Sequence, residues 1–295
     1  MAYPSSFIKT VLKEKLSAHF SAVNNLQLLK IGGGSINETY RITFSETSVF
    51  CKINSATQFP QMFNKERKGL ELIGKQHCIK VPAVVEIFEC EDTQILLLEW
   101  IIEGEKTEAF WKKFGGQLAS LHQASSNFFG LSEDNYMGSV PQQNSLQKNW
   151  RTFFITQRLQ PMIRRCEANN LITNHHQQQF ENLFLLLPTF FDQTQQPSLL
   201  HGDLWSGNFM CNRAGEPILI DPAVYYGNRC MDLAMTTLFG GFHKSFYNAY
   251  NYYYPLPGNY EEQCQICNLY PLLIHLYLFG RSYLPKIEQT LKRFL

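Results

Sequence analysis

His201-Gly202-Asp203-Leu204-Trp205-Ser206-Gly207-Asn208, followed by Ile218-Leu219-Ile220-Asp221-Pro222, decides the fold. Two short apolar runs, residues 209–211 and 218–220, flank a segment that holds Gly215 and Pro217, which reads as a β-hairpin. Symmetric pairing sets 211 against 218 and 208 against 221, so Asn208 and Asp221 are expected side by side at the hairpin mouth. An amide oxygen and a carboxylate are hard oxygen ligands. They suit Mg²⁺ when waters and phosphate oxygens complete the shell. Asp203 lies in the loop just before, within reach of a substrate hydroxyl. A catalytic-loop Asp, an Asn five residues on and a metal-binding Asp beyond a hairpin is the spacing used for phosphoryl transfer. A surface turn rich in Asp, Asn and Gly is the plain alternative. It leaves His201, the apolar strands and the carboxylate at 221 unexplained.

Two further features fit ATP. Gly32, Gly33, Gly34 and Ser35 stand between strand-like runs at residues 26–31 and from Tyr40. Glycines let backbone N–H groups approach phosphate closely. The stretch is no Walker loop, because no Gly-Lys-Ser/Thr follows. Lys52 lies in a strand on the face it shares with Phe50. In the next helix Met62, Glu66, Leu70 and Ile73 fall on one stripe, so Glu66 points inward. A buried carboxylate needs a cation, and Lys52 is the obvious one. Such a pair holds an ammonium against the α- and β-phosphates.

Outward from these motifs, the first hundred residues read as strands around one helix. Runs at 41–44 and 49–54, split by a polar turn at 45–48, form a hairpin; a helix is expected to begin near Pro60; a strand at 94–100 ends this part. Beyond about residue 104 helical spacing dominates, as in Phe110, Trp111, Phe114, Leu118 and Leu121. The polar stretch 174–179 reads as an exposed helix face. The expectation is an α+β, bilobal protein-kinase-like fold. A small β-rich N-lobe, residues 1–101, binds ATP, and a larger, mainly helical C-lobe, residues 102–295, carries catalysis and substrate.

At 295 residues the chain exceeds what one core usually serves. A net charge of +1 gives no basic surplus for nucleic acid. The eight cysteines follow no framework spacing and read as reduced thiols, with Cys264 and Cys267 as helical neighbours lacking a second pair for zinc. The N-terminus has no signal-peptide pattern, and the apolar stretch 269–279 is too short to span a membrane. A soluble, cytoplasmic protein is expected, with no membrane and no nucleic-acid partner.

The chain resembles the fructosamine kinase (ketosamine-3-kinase) family over nearly its whole length. GGGSIN (32–37), FCKIN (50–54), QMFNKE (61–66), HGDLWSGN (201–208), IDPAVYYGNRCMDLAM (220–235) and LFGGF (238–242) carry the resemblance. DNYMGSVPQQN (134–144), FFITQRL (153–159), PLPG (255–258) and LYLFG (276–280) add to it. The resemblance implies an ATP- and Mg²⁺-dependent enzyme that phosphorylates the C3 hydroxyl of ketosamines, free or protein-bound, which leads to deglycation. It implies Asp203 as base, Asn208 and Asp221 as metal ligands, and Lys52 with Glu66 as the phosphate anchor. It also implies Glu99, Trp100 and Ile101 as the hinge that meets adenine, and His201 and Asp232 as supports of the catalytic loop. Trp205, two residues past the base, is a candidate wall of the substrate pocket. Tyr136, Arg158, Tyr226 and Arg229 are further candidates because they stand in the family-specific stretches. A kinase for another hydroxylated amine, such as an aminoglycoside or a choline-like metabolite, stays open, as does an inactive binding module. A protein kinase does not fit, because Pro222-Ala223 replaces Phe-Gly after Asp221.

Overall fold

The computed structural model describes residues 6–32 and 36–295. Gly33, Gly34 and Ser35, three of the four residues expected to meet phosphate, lie outside them.

Helix α1 (Ser6–Ser17) leads into a sheet of β1 (Gln27–Ile31), β2 (Glu38–Phe44), β3 (Thr47–Ser55), β4 (Val84–Cys90) and β5 (Thr93–Glu99), with α2 (Met62–Gly74) between β3 and β4. The strands pair antiparallel in the order β1-β2-β3-β5-β4. Alternation along β3 gives each face its own core. Val49, Cys51 and Ile53 pack with Tyr40, Ile42 and Phe44 beneath Leu12 and Leu16 of α1. Phe50 on the other face packs with Met62, Phe63 and Leu70 of α2. Lys52 shares that face and looks into the cleft. Helix α2 begins at Met62, two residues later than the sequence implied. Gln61 adopts a left-handed conformation (φ 60°) and breaks the helical path after Pro60. Its first turn is held from another element. Gln94 of β5 accepts from the Phe63 N–H (3.3 Å) and donates to the Phe59 carbonyl (2.6 Å).

The second part begins with α3 (Glu108–Gln123). It continues through β6 (Asn135–Met137), β7 (Val140–Gln142), α4 (Trp150–Phe153), a π-helical turn Phe154–Leu159, α5 (Gln160–Ala168) and α6 (Asn174–Phe190). Then come β8 (Ser198–Leu200), β9 (Phe209–Cys211), β10 (Pro217–Leu219), β11 (Tyr225–Gly227) and α7 (Cys230–Leu238). Helices α8 (Lys244–Tyr253), α9 (Tyr260–Cys267), α10 (Leu269–Phe279) and α11 (Leu284–Phe294) complete it. Phe114 centres an aromatic core with Phe209 (4.9 Å), Phe242 (5.6 Å) and Phe246 (5.1 Å), which seats the β9–β10 hairpin on α3. The stretch 174–179 opens α6, but its His176 is buried, because the ring ties Thr173 to Glu288 of α11 at 3.0 Å. All eight cysteines are free thiols. Among the described residues no helix is long and apolar enough to cross a membrane.

The two parts meet around the cleft. Residues 102–104 dock on the hairpin turn through Arg213 N–H to the Ile102 carbonyl (3.1 Å) and Gly104 N–H to the Cys211 carbonyl (2.8 Å). Lys68 of α2 pairs with Glu133 (2.8 Å), and the Tyr136 hydroxyl donates to the Pro60 carbonyl (3.1 Å).

Helix α3 lies against α8 so closely that a Cβ on Gly115 would collide with the Phe246 carbonyl oxygen, whereas one on Gly116 would meet only the mobile edge of the Tyr253 ring. Gly→Ala inside a helix ordinarily stabilises by about 1 kcal/mol. Gly115→Ala should instead destabilise by about 1–3 kcal/mol through overpacking, while Gly116→Ala should be neutral or stabilising. Thermal melts of the two variants decide this; equal melting temperatures would show that the backbone contact is not limiting.

Candidate active site

Asp232, His201 and Asn208 around Asp203 are each placed by hydrogen bonds to backbone. Asp232, at the first turn of α7 and fully buried, accepts from the N–H groups of His201 (2.7 Å) and Gly202 (2.9 Å). It also faces His122 of α3 at 3.1 Å, and His122 in turn meets the Tyr250 hydroxyl at 2.8 Å. Burial works to raise the Asp232 carboxyl, but the His122 hydrogen bond and charge outweigh it and hold the group below the usual range. His201 Nδ1 accepts from the Asp203 N–H (3.2 Å), so the proton sits on Nε2, which donates to the Ile220 carbonyl (2.8 Å). Burial lowers the His201 pKa, which keeps this neutral tautomer. One ring thus joins the loop before Asp203 to the strand before Asp221. Gly202 (φ 85°) has no room for a side chain, because a Cβ there would strike the Ala223 carbonyl.

Asn208 donates from Nδ2 to the carbonyl (2.8 Å) and carboxylate (2.9 Å) of Asp203. Its side-chain oxygen is then the group left to offer. The hairpin register differs by one from symmetric expectation. Cys211 pairs with Pro217, Met210 with Ile218 and Phe209 with Leu219, so Asn208 faces Ile220 and not Asp221. The Asn212 side chain sets this register by accepting from the N–H groups of Ala214 (3.0 Å) and Glu216 (2.9 Å), which closes a turn in which 212 meets 216. Asp221 therefore lies one residue beyond the pairing. Its left-handed backbone (φ 56°) accompanies a side chain that reaches Lys52.

Lys52 is buried between two carboxylates, bonding Glu66 at 2.6 Å and Asp221 more closely still. Burial pulls the ammonium down, yet Asp221 and Glu66 together hold it above the ordinary lysine value. Burial raises Glu66, with Lys52 opposing. Asp203 is pushed up to about 7 by burial, against the Asn208 hydrogen bond.

These groups line one cavity of about 530 Å³. Lys52, Glu66, Asp203, Asn208 and Asp221 form its polar end. Trp205, Phe239, His275, Phe279 and Tyr283 form an aromatic end, with Phe239 4.5 Å from the His275 ring. Among the described residues no group of three His, Cys, Asp or Glu could hold a metal alone. The Asn208 oxygen and Asp221 carboxylate are hard donors, and such a pair fits Mg²⁺ when nucleotide phosphates complete the shell.

The model of the fructosamine kinase family matches residues 5–295. The chain belongs to the fructosamine kinase family. It is 36% identical over 271 residues to a "probable ketoamine kinase" of Enterococcus faecium, covering 92% of this chain and 96% of that one. A solved structure of a candidate fructosamine-3-kinase of Haemophilus somnus superposes with a TM-score of 0.87 at 29% identity, over 96% of each chain. An aminoglycoside phosphotransferase at 12% identity (TM-score 0.63, 97% of this chain and 96% of that one) shares the protein-kinase-like fold.

In this fructosamine kinase family member the other expected residues divide. Tyr136 lines the cavity and Trp205 stands over a third exposed at it. Gly32 is exposed, and a side chain there would meet only open space. Glu99, Trp100 and Ile101 form the connection from β5 towards α3, outside this cavity. Arg158, Tyr226 and Arg229 are not brought to it. Arg158 is fully buried behind the cleft. Tyr226 pairs in β11 with Leu199. Arg229 binds the carbonyls of Tyr254 (2.8 Å) and Pro255 (2.5 Å) over the Tyr254 ring. Of the aromatic end, sequence reasoning picked out Trp205 and missed Phe239, His275, Phe279 and Tyr283. Phe239 and Phe279 lie in the stretches LFGGF and LYLFG, which marked the family without marking a face, and His275 reads as an ordinary member of an apolar helix.

The raised Asp203 carboxyl makes stability depend on pH. Between its ordinary value of 3.8 and about 7 the folded chain holds a proton that the unfolded chain has released, so stability falls as pH rises through that window. Asp203→Asn cannot ionise and should escape this loss. In EDTA without nucleotide, its melting temperature should gain on the native protein from pH 5 to pH 7 and level off above. An equal difference at pH 5 and pH 8 would refute the assignment.

Proposed function

We propose that this protein transfers the γ-phosphoryl group of ATP to the C3 hydroxyl of ketosamines, the ribulosamine and fructosamine adducts of amines, and that deglycation follows. The observation that carries the reading is a single cavity with Asp203, Asn208, Asp221 and the Lys52–Glu66 pair at one end and an aromatic wall at the other. The relatives' names, ketoamine kinase and fructosamine-3-kinase, supply the substrate class. Residues 1–101 act as the ATP lobe and 102–295 as the catalytic lobe. Free thiols throughout fit a reducing, cytoplasmic setting.

In this reading Lys52, held by Glu66, anchors the α- and β-phosphates, Gly32–Ser35 covers them, and the backbone of Glu99, Trp100 and Ile101 meets adenine. Asn208 and Asp221 hold Mg²⁺, which when bound supplies positive charge against the phosphoryl oxygens. Asp203 takes the proton of the C3 hydroxyl as its oxygen bonds to the γ-phosphorus and ADP departs. A carboxyl titrating near 7 suits this exchange. The Trp205 face lies beside the loop that carries the base. A protonated amine over that ring would gain roughly 0.5–2 kcal/mol.

The consequence follows from product chemistry. In a ketosamine the amine is on C1 and the carbonyl is C2, and the C3 hydroxyl leaves poorly. Phosphate at C3 leaves well. Enolisation of C1–C2 to an enaminol places it allylic to the double bond. Phosphate departs, the remaining imine hydrolyses and the free amine returns, with no further enzyme.

The test is to incubate the protein with ATP, Mg²⁺ and a peptide carrying a ribulosamine on one lysine, and to follow mass. Gain of one phosphate should precede reversion to the unmodified peptide with release of inorganic phosphate after the protein is removed. A stable phosphopeptide, or phosphate on serine or threonine, would overturn the deglycation role. Separately, Trp205→Leu should raise KM for the ketosamine by roughly 2- to 30-fold, the equivalent of the lost cation–π contact, and leave KM for ATP nearly unchanged. Equal effects on both substrates would make Trp205 a packing residue of the loop.

A further inference from the structure

Arg158 is a fully buried cation that forms no ion pair among the described residues. Its guanidinium lies 3.9 Å from the centroid of the Tyr225 ring and 4.6 Å from that of Phe153. It donates to the Gln143 and Gln157 carbonyls and, at 2.7 Å, to the side-chain oxygen of Asn144. Burying an unneutralised charge is costly, and the cost points to a task that an apolar side chain would not perform.

The task is legible in the chain of amides that starts there. Guanidinium only donates, so Asn144 must turn its oxygen to Arg158 and its Nδ2 the other way. That Nδ2 donates to the Asn135 oxygen (3.1 Å). Asn135, oriented in turn, donates from Nδ2 to the Val224 carbonyl (2.7 Å). Gln142 donates both to the Asn135 oxygen (2.8 Å) and to the Ala223 carbonyl (3.1 Å), and its own oxygen accepts from Tyr270 (3.0 Å). Every member but the arginine could present either end. The cation removes that freedom, and bonds aligned in one direction polarise one another. The chain ends on the two carbonyls that follow Asp221-Pro222. Ala223 also donates to the His201 carbonyl (2.8 Å) and lies against Gly202, next to Asp203.

We propose that Arg158 is a positioning residue for phosphoryl transfer: through Asn144, Asn135 and Gln142 it fixes the 223–224 backbone and so the spacing of Asp221 and Asp203. The proposal rests on the roles given to those two carboxylates above. Groups one shell behind a metal ligand typically contribute about 10- to 100-fold to affinity or activity, and Arg158, three hydrogen bonds from the Val224 carbonyl, belongs at the low end of that range. Arg158→Met should lower kcat about tenfold and raise the Mg²⁺ concentration for half-maximal rate by a similar factor, with KM for the ketosamine held. Asn144→Asp is the second variant. It strengthens the contact with Arg158 but cannot donate to Asn135, so it should stay folded, as its melting temperature would show, and lose activity comparably. The double variant should lose no more than either alone. Arg158→Lys, still a pure donor, should recover more activity than Arg158→Gln. Native turnover is measured first, and its absence overturns the functional reading together with this one. With the native protein active, three results overturn the positioning role alone: an unchanged Mg²⁺ requirement, a rise confined to ketosamine KM, or full activity in Asn144→Asp.

Discussion

The buried ammonium of Lys52 is the contact on which the rest depends. It joins strand β3, helix α2 and the exit of the catalytic hairpin in one place, through Glu66 and Asp221. A buried ion pair contributes little stability over an apolar substitute, but breaking one leaves an uncompensated charge. The arrangement therefore acts as a constraint on geometry more than as a source of stability. Any movement of α2 that withdrew Glu66 would strand its buried carboxylate away from water, while Asp221, nearly half exposed, adds a softer tie from the hairpin. The fold is held to the one arrangement in which all three groups meet.

That arrangement leaves the cleft short of cations. Two carboxylates share one ammonium, and Asp203 adds a third negative group nearby, held up to about 7 by burial. Backbone and side-chain donors supply compensation elsewhere: the N–H groups of His201 and Gly202 and the His122 ring satisfy Asp232, and the Asn208 side-chain amide steadies Asp203. Asp221, nearly half exposed, keeps part of its carboxylate towards the cavity. A cavity of this kind is matched by a cation carried on an anionic ligand, and a metal nucleotide is that combination. Electrostatic preorganisation of this sort is paid for in the empty state.

What was legible in the sequence was chemistry bound to spacing. Asp203, Asn208 and Asp221 fall within 19 consecutive residues, and loop-and-hairpin geometry is local enough to be read from turn signals and apolar runs. Glu66 was legible because a charge on the apolar stripe of a helix demands a partner. The hairpin register was not, since it turned on how one side chain, Asn212, closes the turn. Nor was the start of α2, which is held by Gln94 from a strand two elements away. The aromatic end of the cavity draws on α10 and the residues after α7, and periodicity says only that those segments are apolar, not which of their rings face a ligand. Arg158 shows the opposite failure. An arginine in a family-specific stretch invites a ligand-contacting role, yet it is enclosed by rings and carbonyls.

Asp221 brings these threads together. A non-glycine residue in the left-handed region persists only where its surroundings over-determine it, and here they do so from three sides. His201 holds the Ile220 carbonyl before it, Pro222 restricts the chain after it, and the Asn135 and Gln142 amides hold the carbonyls of Ala223 and Val224 beyond. Lys52 then takes the side chain. Had the hairpin paired symmetrically, Asp221 would have stood opposite Asn208 on the ladder with its direction dictated by the pleat. Displacement by one residue frees it from the sheet, and the left-handed turn sets its carboxylate towards the cation and the cavity. The irregular register, the strained backbone and the surrounding clamps are one device, and each would be unfavourable without the others.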